Sequence, residues 1–185
     1  MALRFGKTNR GARLALRWPL LAAVLLAASP SSAQNFRLSN PEDLFAAFKA
    51  VCLDHFADSD AQIAAALAAP QDFEFRETGE DGTKRYWNER FTLSILPKAD
   101  QRYCMVTATV SPDTSVASGG ALLLPHLPKG VRKDAEEVDL IGWSQLSGRT
   151  LDSYFFVKRT DPDATYVSFA AGRDSLRGPS RRPGS

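Results

Sequence analysis

The 185 residues are enough for one domain, or one domain with tails; 44% are hydrophobic and 24% charged. The formal net charge of +2 comes from the amino-terminal stretch. Its first 33 residues hold five of the 23 basic side chains and none of the 21 acids, so the remainder carries −3. The isoelectric point of 8.6 for the whole chain is therefore no nucleic-acid signature, and no nucleic-acid partner is expected.

Arg4, Lys7, Arg10, Arg13 and Arg17 precede an apolar run, Pro19 to Ala28, and Ser31-Ser32-Ala33 then supplies small residues. This order predicts a signal peptide over 1–33, cleaved before Gln34. The run falls well short of the roughly 20 residues a membrane-spanning helix needs, although an uncleaved anchor is the alternative. No cysteine follows the small residues and no arginine pair precedes the run. The expected route is therefore Sec-type export to the periplasm or medium, with no stable membrane span after cleavage. In an oxidising compartment the two cysteines, Cys52 and Cys104, read as a disulfide. A redox-active pair would sit close together as Cys-x-x-Cys, and these do not.

A single domain is expected over 34–172. Asn40 as cap, Pro41 at the first position and Glu42-Asp43 behind it predict a helix start. Leu44, Phe45, Phe48, Val51, Cys52 and Phe56 recur at helical spacing and place Cys52 on the apolar stripe. A second helix, capped by Asp58 or Ser59, is expected to bury Ile63, Ala64 and Leu67 and to end at Pro70. The period then changes to alternation, predicting strands over Phe73–Glu77, Thr83–Trp87, Phe91–Ile95 and Arg102–Val110. In the last of these, Cys104, Val106, Ala108 and Val110 share one face, and Tyr103, Met105, Thr107 and Thr109 the other. Both sets are bulky or β-branched, which predicts a central strand covered on both faces.

Ser111-Pro112-Asp113 looks like a second helix start, leading to a weak helix through Gly119-Gly120 as far as Leu124. Lys129 to Ala135 reads as a polar loop, and strands are expected over Val138–Leu146, Thr150–Val157 and Thr165–Ala171. Beyond Gly172 the Arg/Gly/Pro/Ser composition of 173–185 predicts a disordered tail. The expected fold is thus α+β: an antiparallel sheet in two meanders, with two N-terminal helices and one connecting helix packed on one face.

Catalytic chemistry is sparse. His55 reads as a helix-end residue and His126 as a loop histidine; neither sits in a nucleophile or metal motif. Asp54, Asp58 and Asp60 bunch together but are explained by helix capping, and Glu136, Glu137 and Asp139 by a solvent-facing surface. No metal, cofactor or catalytic residue is assigned. The aromatic residues are more informative: Tyr154-Phe155-Phe156 puts rings on both faces of one strand. Trp87, His126, Trp143 and Tyr154 are the candidate ligand or partner surface.

A signal peptide, a short helix with Phe45, Phe48 and Cys52, an Ala-rich helix and a β block holding the second cysteine together resemble small exported proteins of alphaproteobacteria. The resemblance implies export and no particular activity. The expected function is a non-enzymatic envelope domain that binds a protein or small ligand. The alternative is a small envelope hydrolase using His126 with a carboxylate.

Overall fold

The computed structural model describes residues 38–176. The expected leader with its cleavage point, and residues 177–185 of the expected tail, lie outside the described residues.

Helix α1 (Pro41–Phe48) opens where its capping chemistry predicts. The Asn40 side chain accepts from the Asp43 N–H at 2.7 Å, and Pro41 occupies a position with no N–H partner to lose. Leu44, Phe45, Phe48, Val51 and Cys52 are all buried. The stripe stays continuous through a π-helical turn, Lys49–Leu53, in which the Asp54 N–H reaches back to the Lys49 carbonyl at 2.9 Å.

Helix α2 (Ser59–Leu67) is capped by Asp58, which accepts from the N–H groups of Asp60 and Ala61. Its buried face differs from the expected one. Leu67 and Ala64 are exposed, while Gln62 and Ala66 are buried. The reason is polar. Gln62 Nε2 donates to the Cys52 carbonyl at 3.2 Å, and the Ala66 carbonyl accepts the Phe73 N–H at 3.0 Å. Two buried hydrogen bonds orient a helix whose apolar side is too thin to orient itself.

Eight strands form one antiparallel sheet in the order β1-β2-β3-β4-β8-β7-β6-β5, so the chain is a mixed α+β protein. They are β1 (Glu74–Thr78), β2 (Lys84–Trp87), β3 (Thr92–Pro97), β4 (Gln101–Val110), β5 (Arg132–Glu136), β6 (Leu140–Ser147), β7 (Thr150–Thr160) and β8 (Thr165–Ser175). Strand β4 lies between β3 and β8, with Cys104 opposite Ile95 and Ala171. A disulfide joins Cys104 to Cys52 with the Cα atoms 5.5 Å apart.

Four segments depart from the sequence reading. The helix start expected at Ser111 is a turn, closed by the Thr114 N–H on the Ser111 carbonyl and held by Lys158 Nζ on the Pro112 carbonyl. Helix α3 (Val116–Leu123) begins later, on a Ser115 cap. The expected loop Lys129–Ala135 contains β5, an edge strand whose charges and bulge erase any alternation. Val138, expected to open a strand, is 98% exposed in the β5–β6 turn, where the Glu137 N–H bonds the Leu140 carbonyl. Strand β8 also runs past Gly172 to Ser175, whose N–H bonds the Asp100 carbonyl at 2.8 Å.

The core lies between the helices and one parity of the strands. Phe45 and Phe48 meet Phe169 at ring-centroid distances of 5.3 and 5.6 Å, and Phe156 lies 4.9 Å from the same ring. Gly119 and Gly120 let α3 approach β6 and β7. A Cβ on Gly120 would sit 2.9 Å from Ile141, and one on Gly119 would land on the Phe156 ring. A helix that looks weak by propensity is in place because its glycines fit under large rings.

Candidate interface on the sheet

Side chains alternate across a strand, so the register assigns every residue of the sheet to a face. Each helix-to-sheet contact described above goes to the parity of Cys104. The opposite parity assembles into three cross-strand rows: Thr92–Thr107–Ser168–Val157–Leu140, Ser94–Met105–Ala170–Phe155–Gly142, and Leu96–Tyr103–Gly172–Ser153–Ser144. The row beyond one end is Thr109–Tyr166–Arg159, and beyond the other Gln101–Asp174–Leu151–Leu146.

Over the five strands β3, β4, β8, β7 and β6, only Arg159 and Asp174 on this face carry charge, and they stand at opposite ends. The solvated face of an antiparallel sheet is ordinarily rich in charge. Here the charges stand outside the field, at Arg85 on β2 and Arg132 on β5. This face is thus apolar and hydroxyl-bearing at its centre and charged at its rim.

The field is internally satisfied. Thr107 and Ser168 share a hydroxyl hydrogen bond of 2.7 Å. The Tyr103 hydroxyl lies 3.0 Å from Thr83 Oγ1, which in turn donates to Asp81 at 2.7 Å. Hydrogen bonding from the Thr83 N–H holds the Asp81 carboxyl below its ordinary range, and burial pushes the Tyr103 phenol up. This chain of hydroxyls fixes the Tyr103 ring, suiting it to rigid contact rather than nucleophilic work. Phe155 lies across Gly142, where a Cβ would come 2.5 Å from the ring.

The sheet edges are closed to further strands. Both β1 and β5 carry a bulge, and their charges are paired as Glu74–Arg76, Glu77–Arg85 and Lys133–Glu136. A partner for this sheet would have to come face-on.

The four residues expected to form a surface are not brought together. Trp143 and Tyr154 are cross-strand partners inside the core, 5% and 2% exposed, because their parity faces the helices. Their assignment to an open surface is corrected accordingly. Trp87 belongs to the rim, beside Thr92, with the Arg76 guanidinium 5.4 Å from its ring. His126 is exposed, and its ring centroid lies 5.0 Å from that of Phe45. Among the described residues no hydrogen bond or ion pair joins His126 to a carboxylate, and no group of three or more His, Cys, Asp or Glu is placed to hold a metal. Asp54 pairs instead with Lys49 at 2.8 Å.

A second polar cluster, at the sheet end beneath the 54–57 turn, acts as a fastening. Arg173 grips Asp152 through two hydrogen bonds of 2.6 and 2.8 Å, with its guanidinium 4.9 Å from the Phe56 ring. Its neighbour across the strands, Arg102, donates to the Ala57 carbonyl at 2.6 Å. Phe56 also packs on Tyr154 at 5.4 Å. Burial, with the nearby Asp152 carboxylate adding, pushes the Tyr154 phenol up to about 12. The unfolded chain releases this proton near pH 10, while the folded chain keeps it. Stability should therefore be intact below pH 10 and fall by roughly 2–3 kcal/mol as pH rises from 10 to 12. Urea melts of the wild-type chain and Tyr154→Phe across that range check this; the variant should show a shallower alkaline decline.

No protein-family model matches the chain, and no curated protein matches it. Among the described residues no helix is long and apolar enough to cross a membrane.

Proposed function

We propose that the protein is an exported, non-enzymatic binding domain of the cell envelope, directed there by a cleaved signal peptide. In this reading two four-stranded meanders carry the three described α-helices on one face and present the other to a partner. The observation that supports it most is the uncharged field around Met105, ringed by Arg85, Arg132, Arg159 and Asp174. A buried disulfide fits an oxidising compartment, and the fixed Tyr103 ring fits a contact anchor.

Met105 is the probe. The sequence holds two methionines, and the other is Met1, which leaves with the leader. Met105 is half-buried at the centre of the field. Its sulfoxide formation under dilute peroxide, followed by mass spectrometry, should be several-fold slower in intact envelopes than in dilute purified protein. Equal rates in the two samples would sink the reading.

A further inference from the structure

Resting on that reading, we propose that the occupant of the uncharged field is a second copy of this chain, packed face to face about a twofold axis. The axis runs across the strands through the Ala170–Met105 row, and Arg159 of each copy meets Asp174 of the other.

The geometry follows from the register. On β8, Tyr166 and Asp174 lie four residues to either side of Ala170, and Arg159 sits in the row of Tyr166. A twofold axis across the strands leaves each strand over its own counterpart and reverses its direction. The basic end of the field then lies over the acidic end of the second copy, twice. A dyad along the strands fails to neutralise the charges, since it would set Arg159 near Arg159 and Asp174 near Asp174. Isologous contact of this kind is the commonest way two copies close on each other.

The two charges are suited to that meeting. Arg159 already holds Asp161 at 2.9 Å, and its half-exposed side chain keeps donors to spare. Burial pushes the Asp174 carboxyl up, against a hydrogen bond from the Gln101 side chain that lowers it and with Asp100 adding to the rise; a cation from the second copy would act in the same direction as Gln101. Size agrees as well. Three rows span all five strands, the Gln101 row four and the Thr109 row three. With strands about 4.8 Å and same-face rows about 6.8 Å apart, the footprint is on the order of 500–700 Å² per copy. Leu96, Ser153, Phe155 and Ser168 within it are already buried in the single copy. A standard interface takes about 800 Å² from each partner, so the field is at the small end and a reversible, concentration-dependent dimer is expected. The bulged, charged edges of β1 and β5 stop the same two sheets from joining strand to strand.

Sedimentation of the exported, oxidised chain over a wide concentration range tests this. The wild-type chain should pass from monomer to dimer, and Met105 oxidation should slow in step. Arg159→Glu and Asp174→Arg, each alone, should weaken the dimer at least about tenfold by setting like charges together. Arg159→Glu combined with Asp174→Arg should restore it, with circular dichroism confirming that each variant is folded. Should Asp174→Arg unfold the chain, Arg159→Glu and the concentration dependence of Met105 oxidation still decide. A monomer at every concentration, or a dimer indifferent to Arg159→Glu, overturns the proposal. A monomer whose Met105 is nonetheless protected in envelopes overturns it in favour of a different occupant, leaving the interface reading standing.

Discussion

Replacing Cys52 and Cys104 together by alanine should lower the stability of the domain by about 4 kcal/mol. The bridge closes a loop of 52 residues, and the chain-entropy model gives that figure for a loop of this length. Two further features push in the same direction. Both residues are fully buried, so alanine leaves small voids on either side of the sheet–helix junction. Cys52 also lies in the π-helical turn, whose carbonyl the buried Gln62 side chain caps. Releasing the tether frees a segment held on one side by the Arg102–Ala57 hydrogen bond and on the other by α1. At about 3–4 °C per kcal/mol for a chain of this size, the midpoint of thermal unfolding should fall by roughly 15 °C. Urea melts of the oxidised chain and the double variant give the free energy directly, provided the slopes agree. A difference below about 1 kcal/mol would mean that α1 is held on the sheet by packing alone. The sulfurs are inaccessible in the folded state, so dithiothreitol should reduce them only as fast as the domain opens, and faster as urea is added.

What could be read from the sequence depended on whether a segment's own chemistry decided its structure. Asn40-Pro41 fixed a helix start because the cap and the proline act locally. The alternation of Cys104, Val106, Ala108 and Val110 marked a central strand, which β8 pairs along its whole length and β3 over Arg102–Thr107. Ser111-Pro112 offers the same signals as Asn40-Pro41, yet it forms a turn. The bond from Lys158, 46 residues away, competes for the Pro112 carbonyl, and no local pattern reports it. For α2 the deciding contact was the Gln62 amide on the Cys52 carbonyl, and polar residues carry no weight in an apolar periodicity. Strand β5 has no alternation to detect, because an edge that must repel other strands carries charge on both faces. The candidate interface was misread. Tyr103, Met105, Thr107 and Thr109 read as a covered face, but the absence of charge across five strands emerges only once the register sets them side by side. Trp143 and Tyr154 misled because bulk and aromaticity do not reveal which parity faces the helices.

The second large effect concerns Gly119, where one substitution should change sign with its background. Phe156 is fully buried against Phe169, and its ring fills the space beneath α3. Phe156→Ala should therefore cost about 3–5 kcal/mol, the usual range for truncating a core phenylalanine. In the wild-type chain Gly119→Ala should also destabilise. Alanine favours the helix by about 1 kcal/mol, but its methyl would land on the Phe156 ring, and overpacking of that kind costs about 1–3 kcal/mol. With Phe156 already truncated, the same methyl enters vacated space and the helix preference is no longer opposed. Gly119→Ala should then stabilise by roughly 1 kcal/mol, so the double variant melts above Phe156→Ala alone. The cycle of four urea melts yields a coupling energy whose sign is fixed in advance. Equal effects of Gly119→Ala in both backgrounds would show that α3 can lift away from β7 without loss. The weak helix propensity of the Gly119-Gly120 segment would then have no packing reason behind it.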